Sequence, residues 1–246
     1  MDAFLDSQRL GALEAGMTAE GKPVGELHDA VLSAIQAPID SLIDPGVQVR
    51  PGVAVDRWDV PDRDRAILKA FGLPRGPLLA PAPQDAEEPL LTPNIAGEPE
   101  GLLANADDRL YLLGVYGSDF DAALTIRPGV VAGSGRVLGI RGRPLTVADI
   151  HPQLQPYHPD LYHPAVCYFN ASLTAFVEIA WRWFTAVTII RAHPEPSPND
   201  GVEQAERYHA ELDRCRSTFL AGMTKIDPTL TDNEPNSMWV ETFLDD

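Results

Sequence analysis

The chain has 246 residues, with 36 acids against 19 lysines and arginines, so its formal net charge is −17. This balance argues against a conventional DNA- or RNA-binding surface, because such a surface needs clustered cations to neutralise phosphates. Hydrophobic residues make up 44% of the chain and the mean hydropathy is −0.12, which provides enough apolar material for a packed core.

The sequence predicts a cytoplasmic protein without a membrane span. The N-terminal stretch MDAFLDSQRLGALEAGMTAEGK has no basic region followed by an apolar run. No apolar stretch is expected to reach the roughly 18 residues that a bilayer span requires, because Arg182 interrupts the best candidate. Two cysteines, Cys167 and Cys215, are too few for a disulfide framework and fit a reducing compartment.

The first predicted elements are helices. Apolar residues at helical spacing predict a short helix over about residues 24–37. The stretch VPDRDRAILKAFGLP predicts a second helix, which Asp62 is expected to cap and which Gly72 and Pro74 end. Residues 74–104, rich in proline and acids, are predicted to form a loop with short extended pieces.

The pattern then changes to short strands. RLYLLGVY, DAALTIRPG and GRVLGIRG are apolar or alternating runs separated by turn residues, which is typical of an antiparallel meander. Gly133 and Gly135 lie between two of these runs without a following helix, so they indicate a hairpin turn rather than a phosphate-binding loop. AVCYF at 165–169 predicts another strand, with Cys167 in the core.

A helix is predicted to begin near Ser172, with Asn170 or Ser172 as its cap. Trp181 and Trp183 diverge by about 200° around its axis. We therefore expect one of the two rings to be partly exposed or covered by the acidic tail.

The chain is expected to finish with a second long helix and an element, MWVETFLDD, that docks Trp239 and Phe243 on the body. The order of helix, helix, meander, helix, helix predicts a single α+β domain.

No complete catalytic or metal-binding motif is present in the sequence. His151, His158 and His163 share one Pro-rich loop, but no cysteine or acid pair stands at helical spacing beside them. Two His-x-Glu strings, at 193–195 and 209–211, match only half of a zinc deaminase motif. We therefore expect no catalytic residue, no metal and no cofactor.

A local excess of arginine stands out between residues 122 and 148, where no acid occurs. The arginines are Arg127, Arg136, Arg141 and Arg143. Two interpretations stay open: an anion or partner site, or internal pairing with acids of the flanking helices.

The stretch YFNASLTAFVEIAWRWF, residues 168–184, resembles the last strand and helix of the SUKH superfamily, and most closely its fourth subfamily. The likeness lies in a strand that ends in an aromatic residue, an Asn-x-Ser turn and a helix that begins Leu-x-x-Phe-Val. The preceding meander, the Ile226-Asp227-Pro228 turn and the Trp239 element also match. The resemblance covers roughly residues 50–246, so residues 1–49 are interpreted as an N-terminal extension with one short helix.

The resemblance implies an α+β fold with an antiparallel or mixed sheet flanked by helices. It implies an immunity protein that binds and neutralises a cognate toxin, often a nuclease or deaminase, of a bacterial polymorphic toxin system. It carries over no catalytic residues. The charge of −17 suits a basic toxin, because complementary charge accelerates encounter.

Two alternatives stay open. The first is a non-catalytic regulatory or scaffold module of the same fold in a cytoplasmic complex. The second is a small-molecule or metal-dependent enzyme that uses the His-rich loop with Arg127, Arg136 and Arg141.

The expected partner is a protein toxin, with no nucleic acid and no membrane. The candidate toxin-binding residues are acids with an exposed aromatic anchor: Glu87, Glu88, Asp107, Asp108, Asp119, Asp121 and Tyr116, with Tyr157 as a second anchor. The residues expected to form the structural core are Phe169, Phe176, Ala180, Trp181 and Phe184.

Overall fold

The structure is a computed structural model that describes residues 26–76, 79–83, 85–117, 125–197, 201–233 and 237–239. Its helices are α1 (Glu26–Gln36), α2 (Asp62–Phe71), α3 (Glu98–Leu103), α4 (Leu173–Ala192), α5 (Val202–Ile226) and α6 (Thr229–Asp232). Its strands are β1 (Gln48–Val49), β2 (Leu73–Pro74), β3 (Leu79–Pro81), β4 (Leu110–Leu112), β5 (Gly114–Tyr116), β6 (Arg127–Val131), β7 (Val137–Ile140), β8 (Leu145–Thr146), β9 (Tyr162–His163) and β10 (Val166–Asn170).

The central sheet is antiparallel and has the strand order β10-β7-β6-β4. Three two-stranded pairs surround it: β1 with β2, β3 with β5, and β8 with β9. The predicted α+β fold is confirmed. One detail differs, because the predicted run RLYLLGVY divides into β4, which stays in the central sheet, and β5, which pairs with β3.

The glycines between β6 and β7 form the predicted hairpin turn. Gly133 and Gly135 have φ angles of 79° and 75°, in the left-handed region that favours glycine. The Gly135 amide donates to the Val131 carbonyl at 3.0 Å. A Cβ at Gly135 would also collide with the Asp64 carboxylate, so this position of the turn leaves no room for a side chain.

The start of α4 is capped from two sides. Ser172 Oγ accepts a hydrogen bond from the Ala175 amide at 3.1 Å, so Ser172 is the cap. Asp64, buried in α2, accepts from the Thr174 amide at 2.9 Å and thereby ties α2 to this helix end.

Asp62 does not cap α2, so the predicted cap is wrong at this position. The N-cap is Pro61, which makes no side-chain hydrogen bond, and Asp62 is the first helical residue. The predicted end of the helix is confirmed, because Gly72 takes a φ of 58° and its amide bonds to the Leu68 carbonyl at 2.8 Å.

Both tryptophans of α4 are buried, at 0% exposure for Trp181 and 3% for Trp183. Trp181 Nε1 donates to the Gly72 carbonyl at 3.2 Å. The Trp183 ring lies 6.3 Å from that of Trp239, which belongs to the C-terminal element. Helices α1, α2 and α5 also pack against α4, so both rings are covered by other elements. Neither ring is partly exposed, and the C-terminal element covers Trp183. Phe243 lies outside the described residues.

A polar network joins the C-terminal element to the central sheet. Asp227, 2% exposed, accepts from Asn170 Nδ2 at 2.9 Å and from the Ala171 amide at 2.8 Å. Asn170 Oδ1 accepts in turn from Trp239 Nε1 at 3.0 Å. The Asn-x-Ser sequence therefore has two structural roles: Asn170 anchors the chain end, and Ser172 starts α4.

The residues expected in the core lie at the junction of β10 and α4. Phe169, Phe176, Ala180 and Trp181 are buried, and Phe184 is half-buried against the core. The Phe169 ring stands edge-on to Phe176 at 5.4 Å.

Helix α1 packs against α4 and α5 through Leu27, Val31 and Ala34. Arg182 of α4 donates to carbonyls at the end of α1. The division of the chain at residue 49 stays a prediction.

Helix α4 is the helix in the described part of the chain that is long and apolar enough to cross a membrane by length and composition. The expectation that Arg182 leaves no such stretch is thereby corrected. The most apolar window of α4 is 56% buried inside the protein, which favours the core helix of a soluble protein.

Candidate functional site

Residues 85–108, here called the acidic segment, connect β3 to β4 and contain seven acids without any lysine or arginine. Two arginines outside the segment form ion pairs with its acids. Arg57 pairs with Glu87 at 2.5 Å, and Arg136 pairs with Asp108 at 3.5 Å. The segment therefore lies on the body of the protein while presenting negative charge to solvent.

The four predicted acids of this segment differ in their surroundings. The side chain of Glu87 is 53% exposed, and its hydrogen bond raises the pKa of the Arg57 guanidinium. Asp108 is largely covered beside Arg136. Glu88 and Asp107 are exposed. Asp119 and Asp121 lie outside the described residues.

Tyr116 is not exposed, so its expected role as a surface anchor is corrected. It is 4% exposed, and its ring lies edge-on to Phe169 at 5.4 Å and to Trp239 at 6.4 Å. Alternation along β5 placed it on the inner side, and the C-terminal element covers it. Tyr157, the other expected anchor, is 78% exposed.

Glu100 is a buried carboxylate that no sequence pattern distinguishes from the other acids of the segment. It is fully buried in α3, and its Oε1 accepts from the Tyr162 hydroxyl and from the Ala165 amide, both at 2.9 Å. Partial desolvation and this hydrogen bond raise the pKa of Tyr162. Glu100 therefore ties α3 to the strands β9 and β10.

Residues 147–164, here called the His-Pro loop, follow β8 and end with β9 and Pro164. Those two strands pair with each other and close its base. Near its start Asp149 accepts from the Thr146 amide at 2.7 Å and pairs with Arg143 at 2.5 Å. These bonds, with that from Arg143 foremost, lower the pKa of Asp149. Within the described residues, no group of three histidines, cysteines or acids comes close enough to hold a metal ion.

The four arginines of residues 122–148 have different environments. Arg136 and Arg143 pair with Asp108 and Asp149, so internal pairing, one of the two open interpretations, holds for these two arginines. Their partners lie in a loop and in a short 3-10 turn, and not in the flanking α-helices. Arg141 is 5% exposed and donates to the Pro164 carbonyl at 3.2 Å. Arg127 is exposed at the start of β6, where it lines a cleft of about 440 Å³ with Arg141 and Leu90.

A second cleft, of about 500 Å³, opens between the end of α4 and the start of α5. Trp183 and Leu212 line it together with His193 and Tyr208, whose rings stack at 6.0 Å. Burial and the charge of Glu195 raise the pKa of Tyr208. The half-motif at 193–195 thus lies at the rim of an aromatic cleft.

The fold and this surface define an α+β domain with an acidic exterior. The family model described as SUKH-4 immunity protein matches residues 34–245, which is most of the chain. The chain belongs to the SUKH-4 immunity protein family, and the predicted resemblance is confirmed. Membership supports an immunity role and implies binding of a cognate toxin. No curated protein and no solved structure matches the chain.

Proposed function

We propose that the chain neutralises a basic toxin of the nuclease or deaminase type by covering it with the acidic segment. The observation that carries this proposal is the run of seven acids without a single lysine or arginine between residues 85 and 108. Five of the seven acids are exposed on a protein of net charge −17 in an immunity protein family: Asp85, Glu87, Glu88, Glu98 and Asp107.

Charge supports a nucleic-acid-directed toxin as the partner. An enzyme that binds nucleic acid carries clustered lysine and arginine to neutralise phosphates. An acidic protein is attracted to the same cations, which accelerates encounter and places the inhibitor over the substrate path. The inhibitor itself needs no catalysis in this mechanism, and it acts in the cytoplasm, where the toxin would otherwise reach its substrate.

The proposed contact residues are the four predicted acids of this segment, of which Glu88 and Asp107 are exposed and lie outside its two arginine pairs. Glu87 and Asp108 already have arginine partners, so they contribute to the electrostatic potential of the surface more than to direct contacts with the toxin. Asp119 and Asp121 belong to the same proposal.

The test begins with co-expression of the chain and the toxin encoded beside its gene, scored by growth rescue and co-purification. Association rates are then measured for Glu88→Lys/Asp107→Lys and for a control, Asp40→Lys/Glu206→Lys, which makes the same charge change on exposed acids elsewhere.

We expect the first variant to slow association by about tenfold and the control to change it by less than about threefold, because steering depends on the position of the charge. Absence of rescue by the unmodified chain would refute the immunity role for that toxin. Equal effects of the two variants would refute the assigned surface.

A further inference from the structure

We infer that the toxin docks on one face of the molecule, where exposed leucines and tyrosines form apolar anchors inside a rim of acids. The face joins α3, the start of the acidic segment and the His-Pro loop. We call this surface the anchor face, and its anchors are Leu90, Leu102, Leu154, Tyr157 and Tyr162. This inference rests on the proposed function and names the contact region for it.

Large exposed hydrophobic side chains are concentrated on this face. Among the described residues, seven such side chains occur, and five of them are those of the anchor face. Leu102 is 76% exposed and Tyr157 is 78% exposed. The other two, Val53 and Val202, lie on different elements. Scattered exposed residues need no explanation, but a grouping of this kind indicates an interaction site.

Hydrogen bonds join the distant segments that carry these anchors. The Tyr162 hydroxyl donates to Glu100 Oε1 at 2.9 Å, so the base of the His-Pro loop is bound to α3, which carries Leu102. Asn94 Nδ2 donates to the Gly142 carbonyl at 3.0 Å, just before β8.

Leu90 belongs to the same region. It lines one cleft with Asn94 and Gly142, the two residues that this hydrogen bond joins. The segment that carries Leu90 thus lies beside the strand end from which the His-Pro loop departs.

The His-Pro loop carries its anchors on two hydrogen-bonded turns. The Leu154 amide donates to the His151 carbonyl at 2.8 Å, and the Tyr157 amide donates to the Leu154 carbonyl at 2.9 Å. Pro152 and Pro156 fix φ within the same turns. Binding through an ordered loop loses less conformational entropy than binding through a loop that must be ordered first.

The charges around the anchors specify the partner. Residues 85–108 and 144–164 together contain nine acids and no lysine or arginine. Of these nine, Glu100 is buried, and Asp108 and Asp149 pair with arginines outside the two segments. Exposed acids at Glu88, Glu98, Asp107 and Asp160 stand in these same segments. An apolar centre with a charged rim matches the anatomy of specific interfaces. The partner therefore has an apolar socket bordered by lysine and arginine.

A second copy of this chain is a poor occupant, because like charges would oppose each other across the interface. A basic toxin satisfies both the charge and the apolar requirement and is therefore the partner of this face.

The test compares two variants of the full chain. The anchor variant is Leu102→Ser/Leu154→Ser/Tyr157→Ser, and the control is Val53→Ser/Val202→Ser, which removes exposed hydrophobics outside the face. Tyr162 is left intact because it bonds to Glu100. The probe is the toxin from which the unmodified chain rescues growth, and the Kd is measured by calorimetry.

We expect the Kd of the anchor variant to be about 100-fold higher, since removing one central anchor residue commonly lowers affinity tenfold or more. The control is expected to stay within about threefold. Thermal melts show whether each variant is folded, and if the triple variant melts early, Tyr157→Ser alone takes its place with an expected loss of about tenfold.

An anchor variant that binds as tightly as the unmodified chain would overturn the face and leave the immunity role standing. An unmodified chain that binds no toxin would overturn both. Light scattering tests whether a second copy of the chain binds to this face. A dimer that becomes a monomer in the anchor variant would assign the face to a second copy and would also overturn the proposal.

Discussion

Replacing Arg182 with methionine tests whether α1 is fastened to the body by one buried guanidinium. Arg182 is 7% exposed, and its Nη1 lies 3.2 Å from the Ala34 carbonyl and 2.8 Å from the Ala37 carbonyl. It also donates to the Ile35 carbonyl at 2.5 Å. These are carbonyls of the last turn of α1 and the residue after it, which have no intrahelical partner.

The expected loss is about 2–3 kcal/mol in the free energy of unfolding. A hydrogen bond to a charged donor is worth about 1.5–3 kcal/mol, and the three carbonyls share one nitrogen, so they do not add fully. Methionine keeps the apolar stem in place and removes the desolvation cost of a buried charge, which offsets part of the loss. Glu178, the ion-pair partner at 2.8 Å, is 31% exposed and stays solvated.

Urea unfolding followed by tryptophan fluorescence measures this change. With a denaturant slope of about 2–3 kcal/mol per molar, the midpoint should fall by about 1 M. Arg191→Met, an exposed position on the same helix, is the control and should change stability by less than about 0.5 kcal/mol. Amide hydrogen exchange in α1 should accelerate in the Arg182 variant before exchange in the sheet does.

A midpoint shift below about 0.3 M would refute the reasoning, because it would mean that the desolvation of the guanidinium cancels its bonds to α1. Unchanged exchange in α1 would show that apolar packing alone holds this helix.

Two further changes follow from the core. Gly139→Ala should lower the free energy of unfolding by about 1–3 kcal/mol in urea unfolding, because the new methyl group would lie 2.5 Å from Cys167 Sγ. Gly142→Ala is the control and should be neutral, because a methyl group there meets open space. Burial raises the pKa of Cys215 to about 11 and that of Tyr168 to about 12, from ordinary values of 9.0 and 10.0. Because the unfolded chain releases both protons at lower pH, the contribution of these two groups to stability should be constant below about pH 9 and fall between about pH 9 and 12. A Tyr168→Phe variant whose stability fell as steeply above pH 10 as that of the unmodified chain would contradict the tyrosine part of this account.

The sequence predicted those elements whose causes are local. The hairpin at Gly133 and Gly135 needs only two left-handed residues between apolar runs, and the start of α4 needs only the hydroxyl of Ser172 beside free helix amides. The excess of acids in residues 85–108 is likewise present in the sequence before any folding. Each of these features depends on neighbours within a few residues.

The tertiary structure decided which side chains reach the surface. Tyr116 became core because Trp239, more than 100 residues later in the chain, covers it, and both tryptophans of α4 are buried because helices from both ends of the sequence pack around them. Glu100 and Tyr162 meet only after α3 folds against β10. Burial and convergence depend on contacts between segments far apart in the chain, and periodicity along one segment carries no record of those contacts.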